Sequence, residues 1–218
     1  MSFRLSVANK CFIKLYLWAA ERLYHQFAWV YDAVSWLVSF GYWSVWRMDA
    51  LKYIGPGRVL EVGSGTGGLL IEMSARGYEV IGLEPSPQML WVSRRKACRK
   101  GISLKCIRGQ AQAIPFQQGS FTTVLSIFPT NYVIQGESLV EVRRVLSIKG
   151  CWVILGLGVV FKSTFRRWLS RFVFGELNPQ VYHVFSKLAD ETGFSTRWVY
   201  HETRKYTLPV LILEKKDD

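Results

Sequence analysis

Apolar and polar positions follow two different rhythms along this chain. From Phe12 to Tyr53 the apolar residues recur at helical spacing and are rich in aromatic rings, and five of the nine tryptophans (Trp18, Trp29, Trp36, Trp43 and Trp46) fall there. Beyond Tyr53, short apolar runs alternate with amphipathic stretches. Strands are expected over Arg58–Val62, Glu79–Glu84, Leu104–Arg108, Thr122–Ile127 and Cys151–Leu157, with helices over about Thr66–Ala75, Pro87–Lys100 and Glu137–Leu146 between them. Such alternation predicts a mostly parallel sheet with helices on both faces. After Leu157 the rhythm breaks. A basic, aromatic segment, Val159–Gly175, precedes a helix over Gln180–Thr192 and two strands, Thr196–His201 and Thr207–Leu213. The short turn between these strands pairs them antiparallel at the sheet edge, and Pro209, which has no N–H to donate, points to an edge or a bulge. The expected organisation is a helical cap over residues 1–53 and one α/β domain over 54–218, with a helical insertion at 159–175.

Composition narrows this picture. A chain of 218 residues, half of them hydrophobic, can bury the core of one sizeable α/β domain. Its four cysteines, Cys11, Cys98, Cys106 and Cys151, are scattered, with no C-x-x-C pair, which suits a reducing compartment and gives no metal-ligand spacing. The net charge of +12 favours an anionic partner, a membrane surface or a nucleic acid, without choosing between them. Within the aromatic, helical part of the chain the longest uncharged stretch, Ala33–Trp46, has 14 residues, short of the roughly 18 that suggest a spanning helix. With charges breaking its first apolar stretches, the chain is expected to be cytoplasmic, lying on the inner face of a bilayer rather than crossing it.

The candidate chemistry begins at "VLEVGSGTGGLL", Val59–Leu70. Gly63, Gly65 and Gly68 fit the dinucleotide pattern G-x-G-x-x-G, whereas Glu61, Gly63, Gly65 and Gly67 fit the E-x-G-x-G-x-G pattern of S-adenosylmethionine sites. Either way, the glycines open the turn between the first strand and the first helix to a ligand. Glu84 ends the second strand, where a carboxylate can accept from both hydroxyls of a ribose. Glu61 separates the readings: its charge would repel a pyrophosphate and attract the ammonium end of S-adenosylmethionine. A nicotinamide-dependent oxidoreductase remains the alternative, though no Y-x-x-x-K pair supports it.

Later segments add a resemblance. "EPSPQML" (Glu84–Leu90), "RGQAQAIPF" (Arg108–Phe116) and "EVRRVLSIKG" (Glu141–Gly150) resemble the matching segments of class I S-adenosylmethionine-dependent methyltransferases. The resemblance implies a Rossmann-like, seven-stranded sheet, mostly parallel with an antiparallel C-terminal strand, and S-adenosylmethionine as cofactor. It places Glu61, Gly63, Ser64, Gly65, Thr66 and Gly67 around the methionine moiety and Glu84 on the ribose. Pro85 and Met89 fall near the adenine, Gln110 and Ala111 at its edge and face, and Ser126, Ile127 and Phe128 below the methyl group. Gln110 stands where the family commonly has Asp.

The cap carries a second resemblance. "FAWVYDAVSWLVSFGYWSVWRMDAL" (Phe27–Leu51) looks like the start of the ubiquinone/menaquinone C-methyltransferases, with the Tyr31–Asp32 pair and Trp46–Arg47, and bacterial phospholipid N-methyltransferases begin similarly. This implies a hydrophobic or lipid-like acceptor. After the fourth strand, however, the chain has "SIFPTNYV" (Ser126–Val133) rather than the "SFGLRNV"-like run of the quinone enzymes, so no quinone acceptor is assigned on sequence. Tyr31, Asn131 and Tyr132 are the candidate acceptor-orienting donors or weak bases. The segment Val159–Phe174, with Phe161, Phe165, Trp168, Leu169 and Phe172 on one stripe beside Lys162, Arg166, Arg167 and Arg171, has the composition of an interfacial helix, or of a lid with a basic rim. "RRKACRK" (Arg94–Lys100) raises an RNA or DNA methyltransferase as a rival, disfavoured because no N-P-P-Y-type motif follows the fourth strand. A non-catalytic S-adenosylmethionine-binding protein is the third alternative.

Overall fold

The computed structural model describes residues 30–168 and 179–216. The expected helical stretch 12–29 and the part of the expected insertion over 169–178 lie outside the described residues. Two cap helices come first, α1 (Tyr31–Val38) and α2 (Trp43–Asp49), followed by a 3-10 turn (Ala50–Tyr53). The α/β order is then β1 (Val59–Val62), α3 (Gly68–Ala75), β2 (Val80–Glu84), α4 (Pro87–Arg99), β3 (Cys106–Arg108) and β4 (Phe121–Ile127). A 3-10 turn (Asn131–Ile134) leads to α5 (Gly136–Val145), β5 (Leu146–Leu155), β6 (Val160–Phe161), α6 (Pro179–Glu191), β7 (Phe194–Glu202) and β8 (Tyr206–Lys215).

The sheet order is β3-β2-β1-β4-β5-β8-β6, with β7 pairing β8. The pairings among β1 to β5 are parallel, and β8 runs antiparallel to β5, β6 and β7. All seven expected strands are present. The eighth, β6, resumes the line of β5 after a break at Gly156–Val159, pairing β8 through Tyr206 and Thr207 where β5 pairs it through Val210–Glu214. Pro209 falls between those two stretches, where the ladder on that side has no rung to lose. Hence β8 tolerates a proline although it lies inside the sheet and β7 forms the edge.

Strand β1 is buried at all four positions, as a central parallel strand covered on both faces must be. Alternate residues feed two cores. Val59, Leu69, Leu70, Leu125, Val153 and the cap residue Trp46 pack on one face; Leu60, Val62, Val124, Trp152, Ile154 and Phe185 pack on the other. The cap therefore shares a core with α3, on the face that carries the side chain of Glu61.

The basic segment departs from the expected single helix. Phe161 lies in β6, is fully buried and packs against Phe40, Tyr42 and Trp46, whereas helical turns begin only at residue 164. Its backbone is claimed by the β8 ladder and its ring by the core, so it leaves the exposed stripe to Phe165 and Trp168.

Candidate active site

In an open α/β sheet, ligands sit beyond the C-terminal ends of the strands, where the strand order reverses. Here that crevice lies between β1 and β4. The glycine turn leaves β1 within it. Gly65 takes φ +54°, and a Cβ there would stand in open space, so the backbone conformation suits glycine while the room above it is available to a ligand. Gly68 has a different reason: an added Cβ would lie 1.8 Å from a guanidinium nitrogen of Arg47. The side chain of Arg47, from α2, thus rests on the first residue of α3.

Two carboxylates face this turn. Glu84, fully buried, accepts from the Gly65 N–H at 2.8 Å on one oxygen and from the Ser86 N–H at 2.9 Å on the other. Ser86 is held in turn, because its hydroxyl caps α4 by accepting from the Met89 N–H, with Pro87 at the first helical position. These bonds orient the Glu84 carboxylate at the start of the glycine turn. Glu61 is buried, and its Oε2 has no hydrogen-bond partner. Burial raises its pKa to about 8, against the lowering influence of Arg47 and with a smaller push from Glu84. A buried carboxyl with one oxygen unpartnered, beside an open glycine turn, suits a cationic ligand group and opposes a pyrophosphate.

The remaining candidates divide by position. Thr66 donates its hydroxyl to Asp32 of α1 at 2.7 Å, and Lys96 of α4 pairs with the other oxygen of that carboxylate. Ser64 is buried with an unpartnered hydroxyl. Tyr31 packs over Met89 and Val92 and edge-on to Trp43, and burial raises its pKa, so at neutral pH it is a phenol. Pro85 and Gln110 are exposed at the rim and Ala111 is buried beneath it. The loop carrying Gln110 and Ala111 is anchored from α5, where Arg144 donates to the carbonyls of Ile114 and Phe116 and Glu141 accepts from the Ile114 N–H.

After β4 the picture differs from a simple lining. Ser126 is fully buried and its hydroxyl accepts from Trp152 Nε1, while the Tyr132 phenol donates to the carbonyl of Val62 at 2.9 Å. Burial pushes the Tyr132 pKa above the usual phenol range. Tyr132 thus props the end of β1, and Asn131 is exposed at the start of the 3-10 turn. Ile127 and Phe128 are partly exposed. Phe128 adopts φ +48°, an uncommon conformation for a bulky side chain. It stacks on Trp43 with centroids 4.4 Å apart, and its ring presses on Gly156, where a Cβ would come within 2.4 Å. Trp43, Trp46 and Phe128 form an aromatic wall between the cap and the end of β4.

Residues 59–150 match a family model described as a methyltransferase domain. The chain is 32% identical over 209 residues to a demethylmenaquinone methyltransferase of Deinococcus radiodurans, covering 83% of this chain and 86% of that protein. It is 30% identical over 168 residues to the ubiquinone/menaquinone biosynthesis C-methyltransferase UbiE of Geotalea uraniireducens, covering 73% and 71%. The chain belongs to the UbiE-type S-adenosylmethionine-dependent methyltransferases. The fold agrees: the structure of a putative S-adenosyl-L-methionine-dependent methyltransferase from Methanococcus maripaludis superposes with a TM-score of 0.65 at 17% identity, over 88% of this chain and 93% of that one. The cofactor of this methyltransferase is S-adenosylmethionine. Two site contributors, Asp32 and Arg47, were visible in sequence only as parts of the Tyr-Asp and Trp-Arg pairs. Nothing in those pairs showed that they reach the glycine turn.

Proposed function

We propose that this methyltransferase acts on a flat, hydrophobic acceptor drawn from a membrane, a ring of the kind named in its relatives rather than an amine head group. The observation that carries this reading is the partly exposed Phe128 ring at the end of β4, held in place by the buried Trp43 and Trp46, which offers an apolar surface to an aromatic acceptor. In this reading Glu61 holds the ammonium of the cofactor and Arg47, lying between Glu61 and the start of α3, its carboxylate. Gly63–Gly67 cradle the methionine moiety, Glu84 binds the ribose, Pro85 and Met89 with Gln110 and Ala111 bracket the adenine, and Ser126–Phe128 form the floor on the methyl side. The bound cofactor supplies an electrophilic methyl group on sulfur. The chain's part is orientation, which suits an in-line displacement. Tyr31 and Tyr132 have raised pKa values, so they serve as donors or props; the acceptor attacks as its own nucleophile, S-adenosylhomocysteine leaves, and the proton the acceptor loses passes to solvent. Asn131, exposed at the start of the 3-10 turn, orients the acceptor. The protein works on the cytoplasmic side, peripherally.

The test is methyl transfer from labelled S-adenosylmethionine to detergent-dispersed demethylmenaquinol and, separately, to phosphatidylethanolamine. The expected product is the quinol heavier by one methylene unit. Label in phosphatidylethanolamine alone, or in a nucleic acid alone, overturns the acceptor class.

A further inference from the structure

Two stretches far apart in sequence place large apolar side chains in solvent. Helix α1 exposes Trp36 and Leu37 by 61% and 68%, and the segment after β6 exposes Phe165 and Trp168 by 68% and 57%. The corner after α1 joins the two stretches. Phe40 packs edge-on to Phe161 at 5.3 Å, the Arg166 guanidinium lies 5.2 Å above the Phe40 ring, and the Trp36 indole rests against Gly41. Large apolar side chains exposed on two joined stretches mark an interaction site.

Cations converge on the same corner. Lys162 and Arg167 are exposed beside Arg166, and the Lys162 N–H donates to the carbonyl of Lys205, which brings in Arg204 and Lys205 from the β7–β8 turn. The Lys205 ammonium lies 5.7 Å from the Tyr42 ring. Its hydrogen bond, followed by the influence of Arg166, holds the Tyr42 phenol below its ordinary pKa. The exposed carboxylate next to that turn is Glu202, the last residue of β7.

Resting on the reading of a membrane-borne acceptor, we propose that this face, Trp36 and Leu37 with Phe165 and Trp168, docks the protein on an anionic bilayer. The aromatic side chains enter the head-group layer and Lys162, Arg166, Arg167, Arg204 and Lys205 meet lipid phosphates. A bilayer fits better than an acidic protein because the same two cap helices carry the outer docking residues Trp36 and Leu37 and, through the buried Trp43, back the Phe128 wall of the acceptor site. An acceptor dissolved in lipid then reaches that wall without crossing water.

The test is sedimentation of the intact protein with vesicles of phosphatidylcholine alone and of phosphatidylcholine with phosphatidylglycerol. At low salt the anionic vesicles should bind at least about tenfold more tightly than the neutral ones, with the difference shrinking as salt screens the charges. Tryptophan emission should shift blue and be quenched by brominated acyl chains. Leu37→Ser with Phe165→Ser, and separately Lys162→Glu with Arg204→Glu, should each weaken partitioning at least about tenfold while leaving S-adenosylhomocysteine affinity unchanged. Wild-type protein that binds S-adenosylhomocysteine but ignores anionic vesicles overturns the proposal. So does vesicle binding that both double variants retain, and so does capture by soluble polyglutamate without vesicle binding. Vesicle binding without methyl transfer to any lipid-soluble acceptor leaves the docking face standing and overturns the acceptor reading. Transfer in detergent without vesicle binding does the reverse.

Discussion

In the proposed site Glu61 is the residue on which cofactor binding turns, and its burial makes that binding depend on pH. Its pKa of about 8 keeps it mostly protonated near neutrality in the ligand-free protein, and an ammonium placed against it favours the ionised form. Cofactor binding should therefore release a proton. Calorimetric titration with S-adenosylhomocysteine near pH 7, in two buffers of different ionisation enthalpy, should show that release, and the affinity should tighten as pH rises from 6 towards 8; no proton release contradicts the assignment. The same raised pKa sets a stability trend. The unfolded chain ionises Glu61 near the ordinary carboxylate value of 4.5 while the folded one resists up to about 8, so stability falls as pH rises through that window. Glu61→Gln should flatten this fall and weaken S-adenosylhomocysteine binding by at least about tenfold, since a neutral amide cannot pair with the ammonium. Phe128 offers a second test. Its left-handed backbone costs on the order of 1–3 kcal/mol, which the stack on Trp43 and the contact with Gly156 offset. Phe128→Gly should move the acceptor KM more than cofactor affinity, and admit bulkier rings, as measured by steady-state kinetics across acceptors of increasing width.

At the scale of elements, two kinds of contact hold the cap, and their magnitudes differ. Trp46 is fully buried in the core shared with α3, and truncating such a side chain to Ala costs about 3–5 kcal/mol. Asp32 joins α1 to Thr66 of the glycine turn and Lys96 of α4 through partly exposed groups, an arrangement worth about 1 kcal/mol. Asp32→Ala should thus leave the fold intact and loosen the glycine turn, which appears as weaker S-adenosylhomocysteine binding with a small loss in denaturant stability. Trp46→Ala should lower the denaturant midpoint far more, and a larger loss from Asp32→Ala would reverse the ranking. This division also explains what the sequence could show. The strands of the α/β domain were legible because β1 and its neighbours are continuous apolar runs bounded by glycine turns, and Glu61 and Glu84 because motif spacing fixes them at strand ends. The latch through Asp32, the reach of Arg47 and the burial of Phe161 were not. Each depends on how the cap meets the domain, and local periodicity carries no information about a contact between Asp32 and Lys96, 64 residues apart.

For the whole molecule, one ligand should tighten three layers at once, because Glu61 and the glycine turn belong to the sheet, Glu84 is locked to the start of α4, and Arg47 and Asp32 belong to the cap. A ligand bound only by the folded state adds about 2.7 kcal/mol of stability at a hundred times its Kd. In a domain of this size about 1 kcal/mol shifts Tm by roughly 2–4 °C. S-adenosylhomocysteine at that excess should therefore raise Tm by about 5–11 °C in a single cooperative transition. Asp32→Ala weakens the ligand's hold on the cap, so at the same ligand concentration the shift should shrink by more than the variant's own loss of stability. Differential scanning calorimetry of both proteins, with and without ligand, separates the two contributions. If the shift is equal in the variant, the cap is a passive lid seated by its tryptophans alone. A second, earlier transition in the ligand-free protein that disappears on binding would instead mean that the cap melts independently and that cofactor binding is what unites it with the sheet.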